Sequence, residues 1–317
     1  MAETNRIICG NCLDIMPQLE SDSITCCITD PPYNYEFVGK TWDTNEINRR
    51  LDKAKQSKSI LVKNIPYGSG LAGGVRNARW YEKNRQNILE YQSWVELWGR
   101  QLFRLLKPGA FVLVFNSTRT AAHIQVALEN SGLYARDIIV WRRHSGIPKG
   151  INICKKLEKM GDSEAKSWSG WHSCLRNEWE AIVVLQKPLV NNYLETISKY
   201  NVGLFHAKNE QGFQSNIIED IKRETLDEYN DHPTVKPLSL MEKLIYMTVP
   251  RNCGNVVLDP FAGSGTTLVA AQNLGIDYLG IEINDDYIDI AQKRLANSQT
   301  HYKTMQTELC YEGKNYE

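Results

Sequence analysis

Asp30, Pro31, Pro32 and Tyr33 follow the apolar run Ile24-Thr25-Cys26-Cys27-Ile28-Thr29 without a break. An acid, two prolines and an aromatic at the end of a buried strand predict a stiff loop at the carboxyl edge of a parallel sheet, where open α/β folds bind ligands. Each proline fixes its own φ near about −65° and keeps the residue before it out of the helical region, so the loop's oxygens are held in a fixed outward array. Such an array suits an amino group. The exocyclic amine of adenine or cytosine is a poor nucleophile because its lone pair is delocalised into the ring. Two acceptors on its hydrogens, Asp30 Oδ and the Pro31 carbonyl, would return that pair toward nitrogen. Tyr33 would stack on a base drawn out of the duplex, since the amine is out of reach inside paired DNA. By itself the tetrapeptide is equally a Pro-Pro turn capped by an aspartate, and a second motif decides between the two.

That motif runs from Asn255 through Val256-Val257-Leu258-Asp259-Pro260 and Phe261-Ala262-Gly263-Ser264-Gly265-Thr266-Thr267 into Leu268-Val269-Ala270-Ala271. It reads as strand, tight glycine loop and helix start, with free N–H groups and hydroxyls such as Ser264 and Thr266 facing a ligand. The next strand, Tyr278 to Ile281, ends on Glu282, nineteen positions after Gly263. An acid at this place accepts hydrogen bonds from ribose hydroxyls. The loop is not G-x-G-x-x-G, which argues against a dinucleotide, and there is no G-x-x-x-x-G-K-S/T to cradle a triphosphate. S-adenosyl-L-methionine has adenine and ribose without phosphates and suits what is there.

These motifs need a sheet with helices on both faces. The 317 residues are 42% hydrophobic, enough for one α/β domain carrying an insertion. Strand-like runs at Arg6–Cys9, Ala110–Phe115, Tyr134–Trp141 and Glu178–Leu185 alternate with helical periodicity. The helices are expected to run from Gln92 to the Lys107-Pro108-Gly109 stop and from Thr118 to Asn130, with another through Leu240, Leu244 and Met247. The fold class is therefore α/β, a doubly wound, mostly parallel sheet. Between Arg142 and Asp231 the rhythm weakens, and Asn191–Asp231 reads as irregular. The formal net charge is zero, so cations that grip a polyanion must be gathered locally. Arg142, Arg143, Lys149, Lys155 and Lys156 form such a patch, with Trp168 and Trp171 nearby, and predict a DNA contact. The Gly- and Lys-rich connection from Asn34 to Gly74 is expected to order near the substrate. Cys9 and Cys12 form a lone C-x-x-C, and no metal site is expected. No stretch approaches the roughly twenty apolar residues of a membrane span, and the amino terminus lacks a signal-peptide core, so no membrane association and a cytoplasmic location are expected.

Together, Asp30-Pro31-Pro32-Tyr33 early and Phe261-Ala262-Gly263-Ser264-Gly265-Thr266-Thr267 late resemble the DNA amino-methyltransferases of the β arrangement, in which the catalytic half precedes the cofactor half. The likeness covers most of residues 6–297, including His232-Pro233-Thr234-Val235-Lys236-Pro237 and Phe37-Val38-Gly39-Lys40-Thr41-Trp42-Asp43. The resemblance implies a Rossmann-like S-adenosylmethionine-dependent methyltransferase fold. It implies Asp30 and Tyr33, with Pro31 and Pro32, as the catalytic loop. Asp259, Phe261, Gly263, Gly265 and Glu282 would form the cofactor pocket, with Thr234 and Lys236 near the methionine end and Asn11 at the adenine end, where the family often has Asp. Residues 1–141 would be the catalytic half, 142–231 an inserted target-recognition region, 232–300 the cofactor half and 301–317 a tail. An Asp heading the tetrapeptide usually goes with adenine N6 in this family, and cytosine N4 is the alternative. Double-stranded DNA is the expected partner, and a homodimer and a cognate restriction endonuclease are possible ones, in a bacterium, archaeon or phage. A methyltransferase for RNA or for a protein amide, and a catalytically silent DNA-binding protein, are the other readings.

Overall fold

All six residues of β2 (Ile24–Thr29) are buried. A strand covered on both faces has no solvent side to mark with polar residues, which is why it reads as a continuous apolar run. Successive side chains still divide between the faces. Cys27 joins one core, with α1 (Cys12–Ile15), α2 (Ala78–Leu105) and α3 (Ala121–Asn130). Cys26 and Ile28 join the other, with α6 (Leu238–Thr248) and α7 (Thr266–Asn273). The computed structural model describes residues 3–33, 78–143, 150–209, 212–221, 235–250 and 254–298.

Around β2 the sheet contains β1 (Arg6–Cys9), β3 (Leu106–Asn116), β4 (Tyr134–Arg142), β5 (Trp179–Gln186), β8 (Ile217–Ile218), β9 (Val256–Asp259) and β10 (Asp277–Glu282). Their order is β1-β10-β9-β2-β3-β5-β4-β8. Only β5 runs antiparallel to its neighbours. The chain therefore moves outward from β2 to β3 on one side and from β9 to β10 on the other. The gap between β9 and β2 is a topological switch point, the place where such sheets bind ligands at their carboxyl ends. Short strands β6 (Lys208–Asn209) and β7 (Gly212–Phe213) form a separate pair.

Three expectations change. Helix α2 starts at Ala78 rather than Gln92, because its apolar periodicity begins only at Tyr91, followed by Val95, Trp98, Leu102 and Leu105, all buried. Within Asn191–Asp231, expected to be irregular, Tyr193–Tyr200 is a helix (α5): Asn192 caps it by accepting from Glu195 N at 3.0 Å, and Asn201 closes it at φ 54°. Residues 142–231 are also not one excursion, since β5 lies between β3 and β4 in the sheet interior with Ala181 to Gln186 buried. What leaves the sheet between β4 and β5 carries α4 (Ile153–Lys159).

Candidate active site

At the switch point the two loops are stapled together. Thr29, the last residue of β2, donates its hydroxyl to Asp259 Oδ1 at 2.7 Å, and Thr267 of α7 donates to Oδ2 at 2.7 Å. Phe261 N adds a third bond at 3.1 Å. Asp259 is buried, which pushes its carboxyl up to about 6 even though the two hydroxyls and the amide favour the charged form. Its oxygens face the protein, so it shapes the loop from beneath.

The loop turns at Gly263 and Gly265, at φ 50° and 78°. A side chain at Gly265 would also put its Cβ 2.8 Å from Ala291 Cβ, on α8 (Asp285–Asn297). Glycine is therefore required twice over there. From α8 the buried Arg294 donates to Ser264 O at 2.7 Å and to the Thr266 hydroxyl at 2.9 Å. This guanidinium serves the loop's own oxygens.

Glu282 faces the loop from the end of β10. Gly263 N donates to its Oε2 at 2.7 Å, and Ile283 N and Asn284 N donate to its Oε1 at 2.9 Å each. Burial raises its pKa against these three amides. A carboxylate has about four acceptor positions, so one is left on Oε2. Behind Phe261 lie Trp94 and Trp98, with ring centroids at 5.6 and 5.5 Å. Asn11 caps α1, its Oδ1 accepting from Leu13 N at 3.0 Å, while Gly10 N donates to Glu282 O. Cys12 is buried and Cys9 Sγ donates to Asp285 Oδ1 at 3.0 Å.

Beyond β2, Asp30 is surrounded by donors from its own chain. The Tyr33 hydroxyl donates to Oδ1. Lys236 Nζ donates to Oδ2 at 2.5 Å and to the Tyr33 hydroxyl at 3.3 Å. The ammonium also lies 3.4 Å from Glu180 Oε2 on β5, and Glu180 Oε1 pairs with Arg143 at 2.8 Å. Burial works against the Lys236 charge, but the Asp30 and Glu180 carboxylates outweigh it and raise its pKa. Burial, then the same two carboxylates, raises that of Tyr33. Lys236, expected beside the cofactor, thus touches the Asp30–Tyr33 loop.

The profile of the N6/N4 DNA methylase family matches residues 24–293. The chain belongs to this family of DNA methylases. The methylase is 34% identical over 294 residues to the type II methyltransferase M.HindIII of Haemophilus influenzae, covering 88% of this chain and 91% of that one. It is 28% identical to M.HinfI of the same species, over 92% and 68% of the two chains. Among solved structures, the M1.HpyAVI–SAM complex aligns with a TM-score of 0.52 at 23% identity over 92% of the methylase and 98% of that chain. The cytosine-N4-specific PvuII DNA methyltransferase aligns at 0.57 and 13% identity over 96% and 91%. These structures share its fold.

S-adenosylmethionine is the methyl donor, and the residues fit it: a glycine turn at the switch point, a carboxylate with an acceptor position left at the end of β10, and no lysine or arginine in the loop from Asp259 to Thr267. Sequence reasoning missed Glu180 and Arg294. A lone acid at the start of an apolar strand, Trp179-Glu180-Ala181-Ile182, is the one signal that pointed to Glu180. Of the expected DNA-contacting residues, Arg142 pairs with Glu219 at 2.9 Å, Arg143 is turned inward to Glu180, and Lys155 and Lys156 are exposed on α4. Thr234, Lys149, the Asn34–Gly74 connection and the 301–317 tail lie outside the described residues.

Proposed function

We propose that this methylase acts on the N6 amine of adenine in double-stranded DNA, on a base turned out of the helix to reach Asp30. The observation that carries the reading is the place of Asp30 at the switch point: it follows Thr29, which bonds Asp259 beneath the glycine loop, and is linked through Lys236 and Glu180 to Arg143 just past the end of β4. Its carboxylate would accept a hydrogen of the amine and raise the electron density on nitrogen. Tyr33 and the two prolines keep that carboxylate fixed. When bound, the donor supplies an electrophilic methyl group, and Phe261, Gly263, Gly265 and Glu282 would hold it, with Asn11 at the rim, while the buried Asp259, Ser264 and Thr266 shape the loop from beneath. A strong base is unnecessary, because a methylated aryl ammonium sheds its proton readily.

Two further points support DNA as the substrate of this site. The excursion between Arg143 and Glu178 leaves and re-enters the sheet at its carboxyl edge, beside Asp30: Arg142 pairs with Trp179 in the register, and Arg143 N donates to Glu178 O at 2.7 Å. It carries Lys155 and Lys156 on α4, together with exposed Trp168 and Trp171. We assign target recognition to this region, the catalytic half to residues 1–141 and the cofactor half to 232–300. The relatives' designation as type II methyltransferases suggests a partner endonuclease acting at the same site. Exposed Leu89 and Leu97 on α2 offer a homodimer contact. No helix among the described residues is long and apolar enough to cross a membrane.

Sequencing that reads base modification directly, on DNA from cells expressing the protein, tests the assignment. N6-methyladenine in one recurring motif is expected. N4-methylcytosine would transfer the same chemistry to the other amine, and methyl groups found on RNA alone would overturn it.

A further inference from the structure

Both Asp30 oxygens are already bonded, Oδ1 to the Tyr33 hydroxyl and Oδ2 to the Lys236 ammonium. Each oxygen keeps a second acceptor position, so an amine displaces the ammonium only where it binds in the ammonium's place on Oδ2. Lys236 has a second carboxylate at hand. Glu180 Oε2 lies 3.4 Å from Nζ, is buried and makes no hydrogen bond among the described residues. Arg143 holds the other oxygen at 2.8 Å, which keeps Oε2 turned toward the lysine. A displacement of about 0.5 Å brings the ammonium from that separation to ordinary hydrogen-bond distance. The four groups alternate in sign, Asp30, Lys236, Glu180, Arg143, so the charge of the cluster is unchanged by the move. A buried carboxylate oxygen without a donor is costly, and the move satisfies one as it releases another.

We propose that Lys236 is a displaceable occupant of the amine site, bonded to Asp30 until the target amine arrives and then transferred to Glu180. Glu180 is on this view a positioning residue for methyl transfer, acting through Lys236. The inference rests on the reading of Asp30 as the acceptor of the target amine. It also supplies selectivity, because a base presenting a carbonyl gives Asp30 no donor in exchange and leaves Lys236 where it is.

The test is a double-variant cycle on the full chain, measuring single-turnover transfer of labelled methyl to DNA at saturating DNA and S-adenosylmethionine, with cofactor affinity measured in parallel. Glu180→Gln is expected to slow transfer at least about tenfold and to leave cofactor affinity within about threefold of wild type, because the ammonium is then held by Asp30 alone. Adding Lys236→Met should restore part of the lost rate. A merely structural Glu180 predicts the opposite, a double variant at or below the single one, and that result, or a wild-type rate in Glu180→Gln, overturns the proposal. If Glu180→Gln does not bind the cofactor, Glu180→Asp takes its place, since it keeps the charge but draws the oxygen back from Lys236. A wild-type rate there overturns the proposal equally. Absence of DNA methylation by the wild-type chain would instead refute the assignment of Asp30.

Discussion

Glu282→Gln separates holding the cofactor from doing chemistry. The glutamate takes two amides on Oε1, from Ile283 and Asn284, and one on Oε2, from Gly263. A glutamine oxygen can keep the pair on the first side, which places its NH2 against the Gly263 N–H, donor to donor. The loop loses a charge-assisted bond and gains an unpaired N–H, at about 1.5–3 kcal/mol. At 1.4 kcal/mol per tenfold, the Kd for S-adenosylmethionine should rise by about 10- to 150-fold. The acceptor position left on Oε2 disappears as well, which sets the expectation toward the upper figure. Calorimetric titration gives the affinity, and rapid-quench methyl transfer at saturating donor gives the chemical step. That rate should stay within about threefold of wild type, because Asp30, Tyr33 and Lys236 are untouched. An unchanged Kd together with a large fall in the saturated rate would refute the reasoning.

Asp30→Ala should abolish methyl transfer while leaving cofactor affinity nearly intact; a variant that loses cofactor binding and keeps its saturated rate would contradict this. Asp259 has a folded pKa of about 6, above that of an unfolded aspartate, so the native state holds this proton longer. Its stabilising share is therefore complete below about pH 4 and is lost as the pH rises toward 6, by roughly 3 kcal/mol at most. In urea titrations across this window the wild-type chain should lose stability relative to Asp259→Asn, and parallel curves would rule the effect out. Replacing exposed Lys155 and Lys156 together by alanine should weaken DNA binding at all sequences and make the salt dependence shallower by about two counterions. An unchanged slope would remove α4 from the DNA contact.

The two loops were legible in the sequence because their chemistry is local: prolines stiffen Asp30–Tyr33, and glycines at positive φ turn Gly263 and Gly265. The sheet was legible from its buried apolar runs, and β5 was recognisable as a strand, though nothing local could give its antiparallel placement between β3 and β4. Pairings across the chain were not legible. Lys236 reaches Asp30 over 206 positions, and Arg143, read as a phosphate contact because it stands among cations, turns inward to an acid 37 positions away. Charge at the sequence level says what a side chain can pair with, and only the fold says which partner is near. Helix α5 was hidden because its eight residues make only about two turns, too short a stretch for a helical repeat to stand out from the polar residues around it.

The clasp between Arg143 and Glu178 means that the excursion from β4 to β5 begins and ends at a single spot, like a ring set on one prong. Lengthening or shortening it changes the closure entropy by only about 0.6 kcal/mol per doubling and leaves strand register alone. On the proposed assignment of target recognition to this segment, such a scaffold can exchange the whole segment for another, and with it the DNA word recognised, while the edge that carries Asp30 stays as it was.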